Sequence, residues 1–115
     1  MTEVALTKIP QSKPVMTLIE DDAAAVAIKM TVGVEQDGVD LTDMAWTVNY
    51  ANATGTAGST VLSDVEVGEE TIELVWAIPA GFTDKVGTAK FQVVGADTGM
   101  QWSSAVYWCN VTAAL

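Results

Sequence analysis

The chain has 115 residues, half of them apolar, and its fifteen acidic and five basic side chains give a formal net charge of −10. This length predicts a single domain, residues 1–115, with enough apolar side chains to form its own core. Such a negative charge repels phosphate backbones and anionic lipid. We therefore expect no nucleic acid and no membrane surface among its partners.

The composition also argues against catalysis. The sequence has no histidine to act as a general base and no arginine to stabilise an oxyanion. Its one cysteine, Cys109, lies in an apolar run, which predicts a buried, unreactive thiol. No pair among the scattered acids stands out as a hydrolytic pair. We expect neither an enzyme nor a cofactor.

The first part of the chain predicts short strands. Residues 4–9 and 15–20 are apolar-rich runs separated by prolines, which is typical of strands at a sheet edge. The stretch 22–30 contains alanines that would suit the start of a helix. However, Val26, Ile28, Met30 and Val32 share one parity, and strict alternation favours a half-buried strand.

The segment 37–43 separates two alternating runs, residues 26–34 and 44–50. Glycine adopts positive φ at low cost, and aspartate can hydrogen-bond its own backbone. We therefore expect a bend at Asp37 and Gly38, between two strands around which the others are added.

Four acids crowd this link: Glu35, Asp37, Asp40 and Asp43. Carboxylate oxygens at such density can bind calcium, although the spacing is not that of an EF-hand loop. The alternative interpretation is a solvated acidic turn, in which Asp40 or Asp43 caps backbone N–H groups. The favoured prediction is that no metal is bound, with these four residues as calcium candidates.

The rest of the chain continues the β pattern. The expected elements are a weaker strand at 60–67, the clearest strand at 71–78, a helical turn or corner within 80–86, a strand at 88–94 opened by a turn at Gly87, a turn at 96–99, and last strands at 100–103 and 105–113. Eight or nine short strands separated by regular turns predict an all-β fold, a single immunoglobulin-like antiparallel β-sandwich.

The large aromatic residues have two interpretations. Trp46, Trp76 and Phe91 lie on the apolar parity of their strands and are predicted to form the core. Trp102 and Trp108 are less constrained and would form a sugar-binding platform if they were exposed together. The core is the favoured prediction for both, and Trp102 is included among the structural core residues.

Two sequences match the N-glycosylation motif, at Asn52 and at Asn110. The motif is relevant only to a eukaryotic secretory protein, and we interpret both matches as chance.

Several landmarks taken together resemble a known family: Asp37-Gly38-x-Asp40-Leu41, Trp46-Thr-Val-Asn-Tyr50 with a small-residue loop, Ile72-Glu-Leu-Val-Trp76 with Pro79, Thr83-x-x-x-Gly87-x-x-x-Phe91, and Trp102-Ser. The combination resembles the N-terminal β-sandwich domain of phage baseplate upper proteins and of related tail or head fibre proteins. Such motifs build the fold, so no individual binding residue carries over.

The resemblance implies a function without a reaction. A module of this family attaches an appendage to the virion through protein–protein contacts. It implies other virion proteins as partners, a homo-oligomer in the assembled particle, and location in the virion. Two alternatives stay open from the residues alone: an immunoglobulin-like binding or spacer domain of a bacterial surface adhesin, and a carbohydrate-binding module.

Overall fold

A computed structural model describes residues 1–23 and 25–115. In that part of the chain it contains twelve strands and one short helix. In chain order these are β1 (Thr2–Ala5), β2 (Thr17–Ile19), β3 (Ala27–Gly33), β4 (Glu35–Gln36), β5 (Val39–Asp40), β6 (Ala45–Ala51), β7 (Ala57–Val61), β8 (Val65–Val67), β9 (Thr71–Ala77), α1 (Ala80–Thr83), β10 (Gly87–Asp97), β11 (Met100–Ser103) and β12 (Tyr107–Thr112).

The strands form two main sheets and a separate small hairpin. One sheet has the order β1-β3-β9-β8, and the other has the order β2-β12-β10-β6-β7 with β11 also paired to β10. Buried side chains from both sheets belong to one hydrophobic core. The predicted all-β sandwich is confirmed. The described strands outnumber the expected eight or nine because several have only two to four residues.

The sheets are mixed, which differs from the fully antiparallel prediction. Strand β1 runs parallel to β3, and β2 runs parallel to β12. Alternation along a strand shows which face is buried but not which strand is its neighbour. Parallel neighbours cannot be joined by a tight hairpin, so both pairs arise from contacts between segments that are not consecutive strands.

The Asp-Gly bend forms as expected, but its place in the fold is different. Asp37 and Gly38 both have positive φ, 52° and 80°, and form the two-residue turn between β4 and β5. The long strands on either side, β3 and β6, belong to different sheets and do not pair. The link therefore carries the chain from one sheet to the other, and its acids form a small hairpin of their own.

A second crossing divides the strand expected at residues 60–67. Strand β7 pairs with β6 in one sheet, and β8 pairs with β9 in the other. Between them Leu62 is buried, and its N–H donates to the carbonyl of Trp46 at 2.9 Å. This weakly alternating segment therefore supplies an edge strand to each sheet.

Aromatic side chains join the two sheets. Trp76 of β9 is fully buried, and its ring lies 5.1 Å from that of Phe91 in β10 and 5.9 Å from that of Tyr50 in β6, measured between centroids. Phe82 of α1 packs edge-on against Trp76 at 5.1 Å. Trp76 lies on the apolar parity of its strand, and it therefore packs where the two sheets and the helical turn meet.

The corner after β9 contains the expected helical turn, residues 80–83. Thr83 is buried there: its hydroxyl donates to the carbonyl of Asp22, and its own carbonyl accepts the N–H of Asp21. Gly87 follows with φ of 132°, and a Cβ at this position would lie 2.9 Å from the Cβ of Ala53. The turn therefore needs glycine for both conformation and space. No helix in the described residues is long and apolar enough to cross a bilayer.

The ambiguous stretch 22–30 is resolved in part. Its second half belongs to β3, where Ile28, Met30 and Val32 are buried as the alternation predicts. Strand β3 starts at Ala27, later than the alternating run suggested. Ala24, which lies in this stretch, is outside the described residues.

Candidate contact surface

The structure does not bring the four calcium candidates together. Among the described residues, no group of three or more histidine, cysteine, aspartate or glutamate side chains is placed to hold a metal ion. Glu35 and Asp40 are opposite each other across the β4–β5 hairpin, and Asp37 occupies its turn. All four side chains are exposed, and their closeness in sequence does not group three of these carboxylates at one point.

Asp40 has a structural role in this loop. Its Oδ1 atom accepts hydrogen bonds from the Thr42 hydroxyl at 2.7 Å and the Thr42 N–H at 2.9 Å. The hydroxyl bond, and after it the backbone bond, hold the pKa of the Asp40 carboxyl below its ordinary value. This is the capping arrangement given above as the alternative to calcium.

The tryptophans do not form a sugar-binding platform. Trp46, Trp76 and Trp102 are all buried, and the rings of Trp46 and Trp102 meet edge to face at 6.0 Å. Lys8 covers Trp102, with its Nζ atom 5.1 Å from the ring centroid and bonded to the Ser103 carbonyl at 2.9 Å. The core prediction is wrong for Trp108, which is half-buried on the outer side of β12. Because Trp102 is buried, the structure does not have the two exposed tryptophans that the carbohydrate-binding alternative requires.

Cys109 is fully buried on the inner face of β12. Burial raises the pKa of its thiol to about 12, which leaves almost no thiolate at neutral pH. The thiol thus has neither the exposure nor the ionisation of a nucleophile.

Asn52 organises the loop between β6 and β7. The side chain is buried: its Oδ1 atom accepts the N–H and hydroxyl of Thr54 and the N–H of Thr56, all within 3.0 Å. Its Nδ2 atom donates to Oδ1 of Asp84 at 2.9 Å, which ties the loop to the end of α1. The asparagine and threonine of this sequence motif thus have a local structural function.

The outer face of the five-strand path β2-β12-β10-β6-β7 differs from the rest of the surface. Its side chains are exposed or half-buried, and they alternate with buried residues in every strand but β7, where they alternate with half-buried ones. We call it the neutral face; with one residue of the adjoining β11 it consists of Thr17, Ile19, Ala45, Thr47, Asn49, Ala51, Ala57, Ser59, Val61, Thr88, Lys90, Gln92, Val94, Ala96, Ser103, Trp108, Asn110 and Thr112.

The neutral face carries one charge. None of its residues is Asp or Glu, although the chain has fifteen acids, and Lys90 is its one basic residue. In the register, Lys90 pairs with Ala51 on one side and Trp108 on the other. A chain of this net charge therefore presents a broad surface on which another protein can be bound without burying a carboxylate.

A groove deepens the face beside β10 and β12. It has a volume of about 490 Å³ and is lined mainly by apolar atoms. Half-buried Trp108 and exposed Val106 form part of its wall, with Lys8 and Lys90 beside them. A tryptophan in the wall of a groove is typical of the anchor positions in protein–protein interfaces.

The opposite face of the molecule is charged. On the outer side of the four-stranded sheet, Nζ of Lys29 lies 3.1 Å from a carboxylate oxygen of Glu73 and 3.6 Å from one of Glu3. The hydrogen bond and charge of Glu73, followed by the charge of Glu3, raise the pKa of Lys29. Such exposed ion pairs favour solvation of this face rather than burial against a partner.

The sequence contained a signal for the neutral face that we did not use. On the polar parity of residues 44–50 and 88–94 there is no acid, whereas the same parity of residues 71–77 contains Glu73. The signal for a contact surface was the absence of acids from the solvent-facing side of particular strands.

Comparison with known proteins identifies the fold. No protein-family model matches the chain, and no curated protein sequence matches it. The structure is similar to the N-terminal domain of phage TP901-1 ORF48, with a TM-score of 0.55 and 11% sequence identity over 96% of this chain and 98% of that one. The sequence-based resemblance to an N-terminal β-sandwich domain of phage structural proteins is thereby confirmed at the level of the fold.

Proposed function

We propose that this chain is a phage virion structural module that attaches an appendage, a baseplate or fibre component, to the particle through protein–protein contacts. The proposed partners are other virion proteins, the proposed location is the virion, and the role is non-catalytic. One observation carries the proposal: the fold matches an N-terminal domain of a phage protein along almost the full length of both chains. Residues 1–115 would then act as one domain.

The neutral face is the proposed attachment surface. It combines a sheet surface without a carboxylate and a groove with a tryptophan wall and two lysines, in a molecule whose other faces carry the acids. Burial of an unpaired carboxylate is costly, so a stable contact favours the part of the surface that has none.

The experiment is incorporation of the purified chain into particles of the phage that encodes it, grown without the chain. Lys90→Glu places a carboxylate at the centre of the neutral face. We expect incorporation to fall about tenfold or more, because burying an unpaired charge costs on the order of 2 kcal/mol or more. The matched control is Lys85→Glu, the same charge change at an exposed residue outside this face.

Two results would count against the proposal. Absence of the wild-type chain from intact particles, by mass spectrometry of purified virions, would remove the structural role. Equal loss of incorporation in both lysine variants would retain that role but show that net charge, rather than the neutral face, governs attachment.

A further inference from the structure

Strand β7 forms one edge of the neutral face, and one side of its backbone is open. In an antiparallel ladder, residues alternate between those bonded to the neighbouring strand and those whose N–H and C=O point away from it. The bond from the Leu62 N–H to the Trp46 carbonyl shows which residues of β7 are bonded to β6, because every second residue from Leu62 must be bonded in the same way. Residues 58 and 60 therefore bond to β6, while Ala57, Ser59 and Val61 direct their backbone groups outwards. Within the described residues, no strand pairs with that side.

The other sheet edges are protected by charged residues. Glu3 lies within β1, Glu66 lies within β8, and Glu20 directly follows β2. At β11, Lys8 binds the Ser103 carbonyl. Charges and very short strands are the usual means by which proteins prevent edge-to-edge pairing. Strand β7 has five residues, and the whole segment 55–63 contains neither a charged residue nor a proline.

The open edge of β7 can pair with the same edge of a second molecule. If two β7 strands meet antiparallel about a two-fold axis at Ser59, Ser59 faces its own copy and Ala57 faces Val61 of the other molecule. All three outward-directed residues then form bonded pairs, and each pair exchanges two N–H···O bonds. Gly58 and Thr60 face each other on the other side, so no bulky or charged side chains collide.

We propose that β7 is a pairing edge at which two copies of this chain join their β2-β12-β10-β6-β7 sheets into one continuous sheet. The self-complementary register selects a second copy as the occupant. Two molecules of charge −10 repel each other, and at this edge their backbones can meet without juxtaposing carboxylates. A basic partner strand would instead be attracted to the acidic edges. The inference is independent of the virion role, since it rests on the register and the charge of the β7 edge.

The test is amide hydrogen exchange of the full chain by NMR, together with sedimentation equilibrium, from micromolar to millimolar concentration. We expect a monomer–dimer equilibrium. Protection of the Ala57, Ser59 and Val61 amides should rise with concentration, while residues 58 and 60 are protected throughout. This odd-and-even pattern distinguishes edge pairing from contact through the neutral face, which would not bond these amides.

Two variants at the centre of the edge complete the test. Ser59→Pro removes an outward N–H that β6 does not use, and Ser59→Lys places two like charges opposite each other. Both should abolish the dimer, whereas Ser59→Ala should preserve it. If the proline variant does not fold, the lysine variant decides. A wild-type chain that remains monomeric at millimolar concentration, or a dimer that survives Ser59→Lys, would overturn the inference.

Discussion

Replacement of Asn52 by alanine tests whether one buried amide maintains the loop before β7. The substitution removes one donated and three accepted hydrogen bonds. Each contributes about 1 kcal/mol net. Thr54 and Thr56 are exposed, so part of the loss is recovered when water binds their freed groups. The free energy of unfolding should therefore fall by about 2–4 kcal/mol, and Tm by roughly 10 °C.

Urea denaturation followed by tryptophan fluorescence measures this change, and thermal melting by circular dichroism supports it. The matched control is Asn110→Ala, at the other glycosylation-like motif. Its side chain is exposed and makes no hydrogen bond among the described residues, so the change should stay within about 0.5 kcal/mol. If Asn52→Ala lowers the free energy of unfolding by less than about 1 kcal/mol, the amide does not hold the loop and the reasoning is refuted.

Three further predictions follow from other sites. Trp76→Ala should cost about 3–5 kcal/mol in denaturant unfolding, because it removes a fully buried side chain between the sheets; a loss under about 1 kcal/mol would contradict this position. At pH 8, Cys109 should react with a thiol reagent at least about tenfold more slowly in the native than in the unfolded chain, since the thiol is fully buried and burial raises its pKa to about 12; comparable rates would show an accessible thiol. Thr42→Val should raise the pKa of Asp40 towards 3.8 in an NMR titration, and an unchanged pKa would exclude the hydroxyl as its cause. Because the folded-state pKa is lowered, the stability contributed by Asp40 is present above its ordinary pKa and is lost as pH falls through the folded value.

Burial was the property most accessible from the sequence. In β9, strict alternation placed Ile72, Leu74 and Trp76 on one face, and all three are buried. Side-chain period alone determines such an assignment, because a strand with one face on the core must alternate. Of the two alternatives expected within residues 80–86, a helical turn or a corner, the structure has a helical turn at residues 80–83.

Strand partners were not accessible in this way. The two long strands flanking Gly38 looked like neighbours in one sheet, yet they lie in opposite sheets. Alternation is identical for a strand that forms a hairpin with its successor and for one that crosses to the other sheet. The acids of the intervening link were assessed as possible ligands, whereas their hairpin geometry directs them into solvent.

The parallel pairings of β1 with β3 and of β2 with β12 have a consequence for the order of assembly during synthesis. The segment that contains β1 and β2 contributes an edge to each sheet. Yet Thr17 of β2 pairs with Asn110, so β2 is translated well before its partner strand. The nascent chain therefore holds β2 without its partner until β12 has been made, and closure of that edge should be a slow step of folding.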